Sequence, residues 1–420
     1  MSDTSLPMTT AATDNAEPAG PLPWRRWSRA FDAYNFSTNT LFTNAIWVIY
    51  LANHGYSPLA IGLLEMLFHV AKFVMEIPTG IFADMLGRRK SLIIFCALSS
   101  IETLLFLHPT LPFMLLSFIL SGTAFAFSGG ANEAILWNIA GYAEPENQTK
   151  RYSRLVSRMY LIWIIGEIIG VSLGGYLGNL LLILPFLLRS LFTAFGIIPL
   201  LLLPEQKIQA SERTTVLRHL GKSMQAVWRS PALLGLLLIS GLTSGCWQTI
   251  YFFYQLYLHG LGFSLTIIGL VVAASSLTNF VFTAATPYVM RWLPARWLIP
   301  IFTACSILGL ALMSLPQAWL DLFGYLILFQ ASAAILMPAL STYINERSPE
   351  AQRATVLSLQ TGLFSATMIV LFPLFGLGVT RVPYSIAYLW TTLALLVGAL
   401  AILGLVLVLR NIRQTSAQEV

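Results

Sequence analysis

Seven ionisable side chains interrupt stretches of this chain that are otherwise apolar: Glu65, Lys72, Glu76, Glu102, Glu133, Glu167 and Arg189. A charge in such a setting is costly, and it is kept where it holds an ion, moves a proton or ties helices together. Glu65, His69, Lys72 and Glu76 follow one another at i, i+4, i+7 and i+11, which puts all four on one face of a helix. That face has to meet water or another part of the protein. Two uses compete. Glu65 with His69, and Lys72 with Glu76, brace the helix as neighbouring pairs, or the run carries protons. Glu133 and Glu167 are the first candidates for proton coupling, because a carboxyl group that alternates between dry and wet surroundings takes up and releases a proton. The competing reading satisfies each of them with a hydroxyl or backbone group on a neighbouring helix. Glu102 and Arg189 have opposite signs and fall at matched depth in their apolar runs, so a structural ion pair is expected between them.

A second set of residues could line a ligand cavity. Trp247, Gln248, Tyr251 and Gln255 lie close together, and the last three share a helical face. Asn35 and Asn39 are four apart, with Phe42 one turn below. Ligand sites are mostly apolar with a few placed polar groups, and this set fits that description. Packing and hydrogen bonds between helices would use the same residues. No nucleophile–base arrangement, phosphate loop or metal-ligand spacing occurs, so neither enzymatic activity, a cofactor nor a metal is expected. Cys96, Cys246 and Cys305 lie in apolar runs and read as small buried hydrophobes.

The elements that position these residues are set by composition. Hydrophobic residues make up 56% of the chain and charged residues 10%, with a mean hydropathy of +0.73. Soluble domains carry about 25% charged residues, so the chain reads as an all-α membrane protein. A span needs about 20 mainly apolar residues. Twelve such runs are expected, over 31–53, 57–83, 90–108, 111–139, 157–179, 181–203, 232–258, 264–288, 297–315, 319–344, 354–378 and 384–409. The basic residues fall in alternate connections. Segments around Arg25, Arg88, Lys150, Lys207, Arg291, Arg347 and Arg410 hold 21 of the 24 cations, and the intervening ones hold only Arg381. By the positive-inside rule both termini lie in the cytoplasm, and the chain sits in a plasma or inner membrane.

The chain reads as a duplication. Pro145-Glu146-Asn147-Gln148 recurs as Pro349-Glu350-Ala351-Gln352, and each copy joins the fourth span of its half to the fifth. The expected divisions are a disordered tail and interfacial anchor over 1–30, a six-helix bundle over 31–203, a linker over 204–231, a second bundle over 232–409 and a tail over 410–420. Within the linker, Leu217, Leu220, Met224, Val227 and Trp228 fall at helical spacing among basic residues, which suggests a helix on the membrane surface.

Between the second and third spans the chain reads EIPTGIFADMLGRRK. Gly80, Asp84, Gly87, Arg88, Arg89 and Lys90 match the loop signature G-x-x-x-D-x-x-G-R-[RK]-[RK], and the chain resembles the major facilitator superfamily in its drug-exporter-like branches. Span five, with Gly166, Gly170, Gly174 and Gly175, resembles the antiporter signature of those exporters. Ser157 and Val171 replace one of its glycines and its proline, Phe118 stands where the exporters carry an arginine, and Asn138 where many carry an aspartate. The resemblance implies two parallel six-helix repeats around a central cavity that opens to either side in turn. It also implies a secondary transporter that exports a small amphipathic or aromatic compound in exchange for protons. A uniporter, a metabolite symporter, and a receptor or scaffold that keeps the fold without transport are the alternatives. The partners expected are a small-molecule substrate, protons and the lipid bilayer, with no nucleic acid, in a monomer. The loop signature is expected to gate, with Asp84 at the amino end of span eleven near Arg353 to Thr355.

Overall fold

The computed structural model describes residues 23–205, 227–228, 230–349 and 353–418. Those residues form helices and connecting turns with no strand among them. Eleven helices are long and apolar enough to cross a membrane, from Pro58–Ala83 to Tyr384–Asn411. The twelfth crossing is span 1, which is broken. One helix runs over Pro23–Asn39 and a second over Trp47–Asn53, with Thr40–Ile46 between them outside helical geometry. The expected continuous helix over 31–53 is therefore corrected, and the helix begins in what was expected to be a disordered tail. The tail expected before Pro23 and most of the expected linker helix lie outside the described residues, as do Glu350, Ala351 and Gln352 of the second repeat.

Local chemistry fixes where several spans start. Ser57, Ser230 and Ser264 each turn a hydroxyl back onto the backbone N–H three residues on, at 3.2, 3.3 and 3.4 Å. Pro58 and Pro231 follow the first two at the first helical position, where the missing N–H costs nothing. Gly87 separates spans 2 and 3 at φ +100°, a conformation other residues resist. Gly130, at φ +66°, breaks span 4 into Leu111–Ser128 and Ala131–Ala143. Span 10 passes through a π-helical stretch, Gly324–Gln330, between Ala318–Phe323 and Ala331–Arg347.

The glycine run of span 5 explains how the break in span 1 is housed. A Cβ at Gly170 would stand 2.3 Å from the Leu41 nitrogen, and one at Gly174 would stand 1.8 Å from the Phe42 carbonyl oxygen. The bare glycine surface lets irregular backbone lie directly against span 5. Gly175 meets span 8 in the same way, 3.0 Å from Gly269.

The two halves are packed unequally along their length. One buried apolar cluster crosses between them, joining Trp47, Ile49 and Leu64 to Phe252, Ile268 and Phe372. Towards the end that carries the basic loops, the cluster divides. One core there belongs to the first half, around Phe31, Leu92 and Ile135, and another to the second, around Leu236, Leu340 and Ile344. At the opposite end the halves close. Asn179 accepts from the Leu265 N–H at 3.2 Å and donates to Thr266 at 2.7 Å. Gly376 lies against Pro58, and Gly62 against Phe372 and Pro373.

Candidate functional site

A cavity of about 330 Å³ opens at mid-depth, mostly within the first half. Its walls come from the broken stretch of span 1, spans 2, 3, 4 and 6, and from Gln248, Phe252 and Phe364 of the second half. Five of its lining side chains are ionisable: Glu65, His69, Lys72, Glu102 and Arg189. Aromatic rings supply much of the remainder, including Trp47, Phe68, Phe106, Phe118 and Phe125.

The shared face of span 2 divides along its length. His69 Nε2 lies 3.5 Å from Glu65 Oε1, and both residues are buried. Lys72 lines the cavity, whereas Glu76 is exposed nearer the basic end. Among the described residues, the expected Lys72–Glu76 pair is not at ion-pair distance. Lys72 lines the cavity alongside the carboxylates of Glu65 and Glu102, and Glu76 does not reach it.

Glu102 and Arg189 do share a site, as their depth suggested, but the expected direct ion pair between them is not formed among the described residues. Thr103 and Ser117 hydroxyls donate to the two oxygens of Glu102, at 3.0 and 3.2 Å. Arg189 donates instead to the backbone carbonyl of Thr38. That carbonyl belongs to the last turn of the first helix, which the break leaves without its next turn. A cation is favoured at such a carbonyl end. Sequence depth thus located the pair, while the break that redirects Arg189 carries no hydropathy signal.

Glu167 sits between the halves. Tyr251 and Ser276 hydroxyls, from spans 7 and 8, donate to its Oε1 at 3.4 and 3.2 Å. Asn44, in the break of span 1, donates to the Tyr251 oxygen at 3.0 Å. Three irregular or facing elements therefore converge on one carboxylate. Glu133 is placed differently, exposed in the first turn of the helix that follows Gly130. Its charge is favoured there by the helix amino end.

The cavity set is regrouped by the structure. Gln248 lines the cavity. Asn35 is buried and donates to the Met159 carbonyl at 2.7 Å, joining spans 1 and 5, and Asn39 donates to the Asn35 carbonyl at 2.8 Å within span 1. Trp247 donates through Nε1 to Gln330 of span 10. Gln255 is buried, with neither side-chain polar atom hydrogen-bonded. Residues that sequence reasoning missed are Thr43, Asn44 and Trp47, which reach the cavity because span 1 unwinds there.

In the loop signature, Arg89 donates to the Leu203 carbonyl at 2.7 Å and approaches Glu205 at 3.3 Å, and Lys90 approaches Glu205 at 2.9 Å. The Lys90 hydrogen bond, with smaller help from the charges of Lys90 and Arg89, holds the Glu205 carboxyl below its ordinary value. The loop is thereby tied to the end of span 6. Gly80 has nothing within 4 Å of where a Cβ would stand, so no element packs closely on it in this conformation. The side chain of Asp84 and residues 350–352 lie outside the described residues, and with them the expected gate contact.

The family model described as Major Facilitator Superfamily matches residues 33–373. An uncharacterized MFS-type transporter, YxaM, from Bacillus subtilis (strain 168) is 23% identical over 365 residues, which cover 79% of this chain and 84% of that one. Among solved structures, the nucleoside transporter NupG superposes with a TM-score of 0.78 at 16% identity, over 90% of this chain and 99% of its own. A D-xylose-proton symporter superposes with a TM-score of 0.71 at 15% identity, over 91% and 96%. The family match covers most of the chain, and the superposed structures share its fold over nine-tenths of its length: this chain belongs to the Major Facilitator Superfamily.

Proposed function

We propose that this protein is a proton-coupled exporter of small amphipathic or aromatic organic compounds, working by alternating access across a plasma membrane with both termini in the cytoplasm. The observation that carries this reading is the cavity of about 330 Å³, in which aromatic rings face charges of both signs. Rings supply apolar area for an aromatic body, and a few placed charges orient it. Glu167 supports the coupling, because it belongs to the first half while its partners Tyr251 and Ser276 belong to the second, and they must separate when the halves part. A carboxylate whose surroundings change with the transport step binds a proton on one side and releases it on the other. The loop signature from Gly80 to Lys90 is the gate at the basic end in this reading.

The charged wall of the cavity favours a second reading, a symporter for a polar metabolite, for which Lys72 and Arg189 would hold an anionic group. Uptake into inside-out vesicles, run with a compound panel and with or without a pH gradient, separates the two. An exporter accumulates its compound when the vesicle interior is acidic. A symporter loses its compound under the same gradient. Facilitated movement that no gradient alters would end the coupled reading, and no movement of any compound would favour a non-transporting scaffold.

A further inference from the structure

Asp321 lies near the start of span 10, where a carboxylate could reach water. Asp321 is instead 4% exposed, inside a nest of tyrosines at the closed end of the bundle. Tyr254 donates to its Oδ2 at 3.0 Å, and its Oδ1 is buried with no hydrogen-bond partner. Tyr325 stacks on Tyr254 with ring centroids 3.9 Å apart, and Tyr257 packs on Tyr254 at 5.7 Å. Tyr388 packs on Tyr257 at 5.7 Å. The hydroxyls of Tyr325 and Tyr388 are also buried and unbonded. Native interiors leave few polar atoms in this state, and a cluster of them calls for an explanation.

We propose that Asp321 is a second proton-binding carboxylate, linked to Glu167 by a run of polar and aromatic side chains along spans 7 and 10. The run passes from Asp321 through Tyr254 to the stacked Tyr325, whose hydroxyl faces Ser275 and Gln330. Gln330 accepts from Trp247, Trp247 stacks on Tyr251 at 5.7 Å, and Tyr251 donates to Glu167. The Tyr254–Tyr325 and Trp247–Tyr251 steps are ring stacks, and a gap lies at the unbonded Tyr325 hydroxyl, opposite the equally unbonded Gln330 Nε2. It falls in the π-helical stretch of span 10, a geometry common at functional sites.

In this proposal the occupant of Oδ1 is a proton, which needs no space beyond the carboxyl group itself among the packed rings. A proton on Oδ1 turns an unbonded acceptor into a donor, and hydroxyls stand nearby to receive it. The groups that face Asp321 electrostatically are Tyr254 and Tyr257 from span 7, Tyr325 from its own span and Tyr388 from span 12. Span 9 brings the backbone of Gly309 and the side chain of Leu312 to Gly324, neither of them titratable. Among the described residues no basic side chain pairs with Asp321.

The proposal deepens the proton-coupled reading but is tested without a substrate. Purified protein in nanodiscs is titrated between about pH 4 and pH 9, from the ordinary carboxyl range upward, and the stretch of protonated carboxyl groups is followed by infrared difference spectroscopy. Asp321→Asn should remove one titrating band and leave that of Glu167. Tyr254→Phe, which keeps the carboxylate and deletes its donor, should shift the Asp321 band. Glu167→Gln should move the midpoint of the Asp321 band, and Tyr325→Phe should weaken that effect. A spectrum unchanged by Asp321→Asn, or with no titrating carboxyl at all, would overturn the assignment of the site. An Asp321 band indifferent to Glu167→Gln would overturn the link. A failure of the vesicle experiment would sink proton-driven export and leave these bands as they are, so the two failures are distinguishable.

Discussion

Arg189 shows how one buried cation is placed by the backbone rather than by its counter-ion. Its guanidinium lines the cavity together with Glu102, yet its hydrogen bond goes to the carbonyl of Thr38, at the end of the helix that precedes the break. A cation in a partly buried position at a helix carboxyl end is worth up to about 2 kcal/mol. Arg189→Ala should therefore lower the melting temperature of the purified protein by a loss of about that size. Arg189→Lys should recover part of it, because the charge remains while the planar fork is lost. An alanine variant that melts like the parent would mean that the break is held by span 5 alone. The carboxylates separate in the same way. Glu167→Gln should abolish accumulation driven by a pH gradient while exchange down a gradient survives. Glu133→Gln, at an exposed helix amino end, should leave both intact. Loss of driven accumulation in the Glu133 variant alone would reverse the ranking of the two residues.

At the scale of elements, the glycines of the chain divide by what they face. Those of span 5 make room for the unwound part of span 1. A side chain at Gly174 would collide with the Phe42 carbonyl, which is backbone and has nowhere to go. Gly174→Ala should cost enough to reduce the amount of folded protein in the membrane. Gly80 faces open space in this conformation, so Gly80→Ala should be tolerated and should add helix propensity of about 1 kcal/mol. If Gly80 makes its close contact only when the basic end closes, that variant keeps its melting temperature and loses transport. A Gly80→Ala variant with parental transport would remove Gly80 from the gate.

These elements also mark how far the sequence could be read. Apolar run length located eleven of the twelve expected spans, because the cost of exposing backbone and charge to lipid is large and local. The spacing of Glu65, His69 and Lys72 correctly grouped residues that reach the cavity. The break at Thr40–Ile46 was invisible, since a stretch such as Phe42 to Ile49 scores as apolar whether it is helical or not. Asn35 and Asn39 follow the packing alternative, and the partner of Arg189 was missed for the same reason. Sequence position alone says nothing about the tyrosines that spans 7 and 12 fold around Asp321.

For the molecule as a whole, the unequal packing of the halves defines one state of a cycle. The halves share a core at the end opposite the basic loops and have separate cores at the basic end. Alternating access requires the shared end to part when the basic end closes. The contacts that must then break include those of Asn179 with Leu265 and Thr266, and of Gly175 with Gly269. Asn179 and Thr266 side chains meet at 2.7 Å across the halves, so cysteines at both positions are within reach of a disulfide. Cys96 and Cys246 are buried and Cys305 is partly so, which leaves little background for the reaction. Asn179→Cys with Thr266→Cys, oxidised in the membrane, should hold the shared end closed and stop transport. Reduction should restore it, and each single variant should transport normally under oxidant. Transport that continued through the cross-linked protein would mean that this end need not open, and that substrate leaves the cavity by another path.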